Sequence, residues 1–310
     1  MKLNILITSS SFINTEGRHK HIYNDNRINI IEFPGPNTEK EMLNVISNID
    51  GVICGDDEFT DKVILKGVNS KLKVISKYGT GLDKIDQESC KRNNIILKNC
   101  HGINHETVAE HCFALILYHY KNINKSIVTK QNNNWIRFTG RDLKFKKIGI
   151  LGSGNVGKEV IKLSNFFRLN IMSYDKQPDQ IFAQKHNFKY HSIDDILKKS
   201  DIIVLSMSLN KDSENLINLE NLKFIKKDAT IINISRGGLI NEADMYNFLK
   251  VNPEVHYLTD VLSEEPIKLD HDFLKLKNVT ITPHIASRTK ENVQAQGAMA
   301  VENLLSNLNF

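Results

Sequence analysis

Three charged side chains punctuate three apolar runs in the second half of the chain. "ATIINIS" leads into Arg236, "HYLT" into Asp260 and "VTITP" into His284. The steps between them are equal, 24 residues each (236 to 260 to 284), about one strand-plus-helix unit. If each run is a strand of a parallel sheet, all three side chains reach one rim, the carboxyl edge where open α/β sheets hold ligands. Singly, each has a plain explanation: a solvated arginine, a helix-capping aspartate, a histidine after a proline. Together they fit surface decoration poorly. A guanidinium grips a carboxylate and polarises the carbonyl beside it. An imidazole gives or takes a hydroxyl proton. Glu265, in "DVLSEEP" with Glu264 as its rival, supplies a carboxylate that would orient the ring and favour its charged form.

Interconverting a carbonyl and an alcohol needs a hydride carrier, and a dinucleotide signature lies upstream. "GILGSGNVGKEV" contains G-x-G-x-x-G at Gly152, Gly154 and Gly157, a weak sign alone. Its context strengthens it. "KKIGIL" before it reads as a strand, "NVGKEVIKLSNFF" as a helix and "NIMSY" as a second strand that ends at Asp175. The glycines permit a tight turn and close backbone approach, and the helix start at Asn155 and Val156 offers N–H groups to a pyrophosphate. A carboxylate at Asp175 accepts from the ribose 2′-hydroxyl of NAD and repels the 2′-phosphate of NADP. NAD is therefore the expected cofactor, although Lys176 next door would soften that repulsion.

The elements that must position these residues are legible in outline. With 310 residues the chain has room for two domains, and 40% apolar with 25% charged residues is ordinary for a globular protein. "LNILIT", "INIIEF", "GVIC", "KVIS" and "IILKN" read as strands, with helices over "TEKEMLNVISNI" and "DQESCKRNN". A long helical pattern, "HETVAEHCFALILYHYKNINKSI", follows, with Val108, Phe113, Leu115, Ile116 and Leu117 on a broad apolar face. A second strand–helix series runs from "KIGIL" to "VTITP", and Thr289 to Leu308 reads as a closing helix. Such alternation predicts an α/β fold with parallel sheets covered on both faces. Asn132-Asn133-Asn134 reads as a loop before Trp135.

Composition excludes other classes. The formal charge of +5 is spread over pairs such as Lys146-Lys147, without the runs or aromatic interleaving of a nucleic-acid binder. No segment reaches the ~18 apolar residues of a membrane span, and the N-terminus is too short in apolar residues for a signal peptide. Cys54, Cys90, Cys100 and Cys112 have no metal or disulfide spacing, so they read as reduced thiols of a cytoplasmic protein. His101, His105, His111 and Cys112 could be drawn as a metal cluster, but a helix start does not promise convergent ligands, and no metal is expected.

Taken with "SKYGTGLDKID", "GINHETVAEH", "NISRGGLINE" and "TPHIAS", these motifs are similar to those of the NAD-dependent D-2-hydroxyacid dehydrogenase family, over nearly the whole chain. The resemblance implies two doubly wound parallel-sheet domains. A Rossmann NAD-binding domain, residues 99–286, would be inserted in a flavodoxin-like substrate domain built from residues 1–98 and 287–310. It implies that Arg236, Glu265 and His284 are catalytic and that Asp260 holds the nicotinamide amide. Met207, Ile234, Ser235 and Ala286 would line the cofactor. The turn Tyr78-Gly79-Thr80-Gly81 would bind the substrate carboxylate through backbone N–H groups. Members are usually homodimers joined through the nucleotide domains, which would account for the apolar helix near Phe113. Many relatives read His-x-Pro-Leu where this chain has Ser206-Met207-Ser208-Leu209. Relatives acting on phosphoglycerate carry basic residues in the loop that here reads Cys54-Gly55-Asp56-Asp57-Glu58. Three acids there disfavour a phosphate if they face it, and say nothing if they face solvent; Lys77 is a nearby anion contact. A small unphosphorylated 2-oxo acid is the expected substrate. D-3-phosphoglycerate oxidation and an NAD-sensing role like that of a transcriptional co-repressor are the other readings. A phosphite-oxidising relative is harder to exclude than a formate-oxidising one, which has glutamine in place of Glu265.

Overall fold

A computed structural model describes residues 2–131 and 135–308, so the Asn132-Asn133-Asn134 loop lies outside the described residues. Two compact units emerge, one of residues 1–104 with 288–310 and the other of residues 105–287.

The first unit carries five strands, β1 (Leu3–Ile7), β2 (Ile28–Glu32), β3 (Gly51–Cys54), β4 (Val74–Lys77) and β5 (Ile96–Asn99). All are parallel, in the order β2-β1-β3-β4-β5, the flavodoxin-like arrangement. β3 and β4 are buried along their whole length, as strands covered on both faces must be. The closing helix Lys290–Leu305 packs on β3, β4 and β5 through Ala300, Val301 and Leu304, and Ser76 Oγ donates to Ala300 O at 2.8 Å. Both chain ends thus build one core. The boundary falls at 104/105, whereas the family pattern suggested 98/99. The reason is β5, whose last residue, Asn99, still pairs with Lys77 of β4.

The second unit adds β6 (Lys147–Leu151), β7 (Asn170–Tyr174), β8 (Lys189–Tyr190), β9 (Ile202–Leu205), β10 (Thr230–Asn233), β11 (His256–Thr259) and β12 (Val279–Ile281). They form one parallel sheet in the order β12-β11-β10-β9-β6-β7-β8. Strand order reverses between β6 and β9, and that switch point is where a Rossmann sheet opens a crevice at its carboxyl edge.

The long helical pattern breaks in two, into helices His105–Tyr120 and Ile123–Gln131. Asn122 interrupts it by taking a left-handed conformation (φ 51°), with its N–H donating to His119 O at 3.0 Å. The apolar face of the first helix is spent within its own unit. Val108, Phe113, Leu115 and Ile116 are buried in the core against the helix Asn155–Phe166, and the Phe113 and Phe167 rings stack at 5.1 Å. That face therefore needs no partner chain to explain it. Among the described residues no helix is long and apolar enough to cross a membrane.

Candidate active site

Each glycine of the fingerprint has its own physical reason. Gly152 follows β6 at φ 102°, a conformation that side chains avoid, and a Cβ there would meet the Met207 backbone N at 2.7 Å. Gly157 lies in the helix Asn155–Phe166, where a Cβ would sit 2.0 Å from Gly152 O, so helix and turn touch. Gly154 has open space at its Cβ position, and no side chain caps the helix it starts. An uncapped, exposed helix N-terminus facing open space fits a pyrophosphate. Ser206 Oγ donates to Gly152 O at 2.7 Å and ties the end of β9 to this turn. Asn155 is exposed and Val156 is partly buried on the core.

Asp175 stands at the end of β7, as the motif requires. Its Oδ2 accepts from Ser153 N at 2.7 Å and its Oδ1 from Gln177 N at 2.9 Å. Lys176, expected to temper it, is turned to Asp212 on the surface instead. Nothing in the residue pattern marks Ser153, a variable position inside the fingerprint.

β10, β11 and β12 deliver Arg236, Asp260 and His284 to one edge of the sheet. Asn233, the last residue of β10, braces the Arg236 loop: its Oδ1 accepts from Ser235 N at 3.1 Å and its Nδ2 donates to Arg236 O at 2.8 Å. Ser235 Oγ donates to Met207 O, joining this loop to the cofactor turn. Gly237 packs so closely on the next loop that a Cβ would lie 2.0 Å from the Leu262 carbonyl carbon. That contact sets Arg236 beside the loop carrying Glu265. Glu265 Oε1 accepts from Leu262 N at 2.8 Å, and its Oε2 meets His284 Nδ1 at 2.7 Å. The carboxylate is thus anchored on one oxygen and orients the imidazole with the other. Glu264, the rival, pairs with Lys268 at 2.7 Å instead.

Asp260 is only 1% exposed and is occupied by the turn that follows β12. Its Oδ1 accepts from Thr282 Oγ1 at 2.6 Å and Ile285 N at 2.9 Å, and its Oδ2 from Ala286 N at 2.8 Å. His111 Nε2 lies 3.1 Å from Thr282 Oγ1 and 3.4 Å from Asp260 Oδ1. Burial raises the carboxyl pKa, but His111, Thr282 and the two N–H groups outweigh it, so the net shift is downward. These contacts grip His284 from both sides while it holds a left-handed backbone (φ 52°). The contacts of Asp260 are those of a residue holding this turn. Ile234 and Ala286 are buried at the same edge.

The imagined cluster of His101, His105, His111 and Cys112 does not form. Cys112 is fully buried and burial pushes its thiol up, while His111 is spent on Thr282. Among the described residues ligand-type atoms converge within 4.8 Å at His105, Glu106 and Glu159, and Glu159 is paired with Lys162 at 2.6 Å.

In the first unit, the Tyr78–Gly81 turn follows β4. Gly79 has φ 112°, and its carbonyl accepts from Cys100 N at 2.9 Å while Thr80 O accepts from Asn99 Nδ2 at 2.7 Å. Neither bond uses the N–H groups of Gly79, Thr80 or Gly81. The three neighbouring acids meet three different fates. Asp57 is fully buried, accepting from Asn37 N (2.9 Å), Asn37 Nδ2 (2.7 Å), Gly55 N (3.0 Å) and Thr8 Oγ1, and burial still pushes its carboxyl up. Asp56 pairs with the buried Lys77 at 2.7 Å. Glu58 accepts from Glu39 N at 2.8 Å. The loop is neither a row of acids aimed at a ligand nor a solvated strip.

A parallel sheet of this order, with a glycine turn at its switch point and an acid after the next strand, defines a dinucleotide-binding α/β protein. Residues 113–286 match the family described as D-isomer specific 2-hydroxyacid dehydrogenase, NAD binding domain. The chain belongs to that family, and its second unit contains the NAD-binding domain. It is 33% identical over 271 residues to a D-3-phosphoglycerate dehydrogenase of Methanocaldococcus jannaschii, covering 86% of this chain and 51% of the relative. It is 31% identical over 280 residues to a glyoxylate reductase of Thermofilum pendens, covering 87% and 82%. The chain spans about half the length of the phosphoglycerate dehydrogenases it matches. In fold it is similar to the TT0316 protein from Thermus thermophilus, with a TM-score of 0.88, 24% identity, and 99% and 97% of the two chains covered.

Proposed function

We propose that the chain is an NAD-dependent oxidoreductase that interconverts a D-2-hydroxy acid and its 2-oxo acid. The 2.7 Å contact between Glu265 Oε2 and His284 Nδ1, on the rim that also carries Arg236, supports this reading most strongly. NAD, held at Gly152–Gly157 and Asp175, supplies the hydride acceptor or donor. Arg236 binds the substrate carboxylate and polarises the neighbouring carbonyl. In the first unit the Tyr78–Gly81 turn is a backbone N–H nest suited to a carboxylate. His284 Nε2 gives its proton to the oxygen of the new alcohol, and Glu265 holds the ring for that transfer. Asp260 fixes the turn beneath it. In the oxidative direction His284 takes the proton back.

The substrate is a small unphosphorylated acid. Asp56 neutralises Lys77, the nearest buried cation, so the loop offers a phosphate no net positive charge. The protein acts in the cytoplasm, consistent with four buried, unpaired cysteines. It is a homodimer joined through the second unit. Ile123, Trp135, Ile136 and Phe138 are each exposed apolar side chains suited to a partner copy, whereas the buried face of helix His105–Tyr120 is not.

The test is a panel of 2-oxo acids offered with NADH, with 3-phosphoglycerate offered with NAD beside lactate and glycerate. At least one unphosphorylated acid should turn over, with kcat/KM at least about tenfold above that for 3-phosphoglycerate. Efficient 3-phosphoglycerate oxidation would overturn the substrate reading. Silence across the panel with NADH binding intact would favour the co-repressor-like role.

A further inference from the structure

Asp175 does not stand at the end of β7 unsupported. Ser153 Oγ lies 3.2 Å from its Oδ2, Tyr190 Oη lies 2.9 Å from Ser153 Oγ, and Asp179 N donates to Tyr190 Oη at 3.1 Å. The direction of this chain follows from the donors available. An ionised carboxylate only accepts, so Ser153 must spend its single hydroxyl hydrogen on Asp175. Ser153 can then only accept from Tyr190, which donates its own hydrogen after accepting from Asp179. Every donor points toward Asp175, the arrangement in which successive hydrogen bonds polarise and strengthen one another.

Both ends of the relay are fixed. Asp179 caps the helix Gln180–Lys185, with Oδ1 accepting from Phe182 N at 2.9 Å, and its Oδ2 pairs with Lys158 of the fingerprint helix at 2.6 Å. Tyr190 sits in β8, paired with Ser173 of β7, and its ring packs edge-on against Phe188 at 5.3 Å. The carboxylate therefore has about three of its roughly four acceptor positions filled, and the remaining one is on Oδ1.

We infer that Tyr190, acting through Ser153, is a positioning residue for cofactor selection: it holds the Asp175 carboxylate in one orientation, so that it accepts from a ribose 2′-hydroxyl and repels a 2′-phosphate. The inference rests on the reading of Asp175 as the ribose acceptor. Without the relay the carboxylate keeps its two backbone donors, Ser153 N and Gln177 N, but loses the side-chain hydrogen bond on Oδ2 that completes its orientation. Its grip on the hydroxyl and its repulsion of the phosphate then weaken together, which a general loss of stability would not produce.

Dissociation constants for NADH and NADPH, read from cofactor fluorescence on the whole chain, test this without any substrate. Tyr190→Phe keeps the ring and removes the hydroxyl. It should narrow the NADH preference by about three- to tenfold, the worth of one such hydrogen bond. Ser153→Ala keeps the backbone N–H and should narrow it similarly, and the double variant should be no worse than the stronger single, since both act in one chain. Asp175→Ala sets the floor. An unchanged ratio in Tyr190→Phe and Ser153→Ala, with a collapsed one in Asp175→Ala, would overturn the relay and spare the Asp175 reading. An unchanged ratio in Asp175→Ala would overturn both. Should Tyr190→Phe fail to fold, Ser153→Ala decides alone.

Discussion

Replacing His284 with alanine is expected to lower kcat by roughly 10²–10⁴-fold, the usual worth of a positioned general acid–base, with little change in NADH binding. The imidazole is the rim group whose chemistry suits proton transfer, and its Nδ1 is held at 2.7 Å from Glu265 Oε2. The cofactor turn at Gly152–Gly157 is built from other strands, so its affinity for NADH should survive. Steady-state kinetics with the best substrate of the panel, paired with fluorescence titration of NADH, separate these effects. Unchanged turnover would remove His284 from the chemistry, and loss of NADH binding would show that the variant had damaged the unit rather than the site.

Arg236→Ala should fail differently. The guanidinium is assigned to the carboxylate in ground and transition states alike and to the carbonyl as charge develops on it. KM should therefore rise and kcat fall, with kcat/KM down by about 10²–10³-fold. Arg236→Lys should recover little, because a point charge does not reproduce a planar fork against a carboxylate. A variant with raised KM and untouched kcat would confine Arg236 to uniform binding. Its loop is braced by Asn233 and packed through Gly237 on the Leu262 backbone, so truncation beyond Cβ should not move Glu265.

The rim was readable in the sequence because each of its residues ends a β-branched run, and parallel strands carry such ends to one edge. The fingerprint was readable for a similar reason: glycine spacing, helix and acid all follow one another locally. The family pattern supplied what spacing could not, namely that the first strands and the closing helix share a core. What stayed hidden depends on contacts between distant segments. Asp56, Asp57 and Glu58 are alike in type to a reader of the sequence. Their fates are set by Lys77, by Thr8 and Asn37, and by Glu39 on other loops. Asp260 ends its strand as the spacing predicts, but its hold on the Ile285 and Ala286 N–H groups depends on a left-handed His284 that no pattern announces. Asn122 broke a helix whose apolar periodicity ran on without interruption. Tyr190 lies 37 residues from Ser153, on a strand of two residues too short to register as one.

The central claim, that Glu265 and His284 act as one proton-transfer pair beside the cofactor, is tested most directly by pH profiles of kcat/KM in both directions for wild type and Glu265→Gln. Reduction uses the protonated imidazole, so its rate should hold at low pH and fall as pH rises. Oxidation uses the neutral ring and should rise over the same range. A carboxylate beside an imidazole favours the charged ring, and glutamine keeps the shape and a hydrogen bond while removing the charge. Both limbs should therefore move to lower pH in the variant, by the same amount. Limbs that stay where they are in the wild type would contradict the pairing and the site geometry built on it.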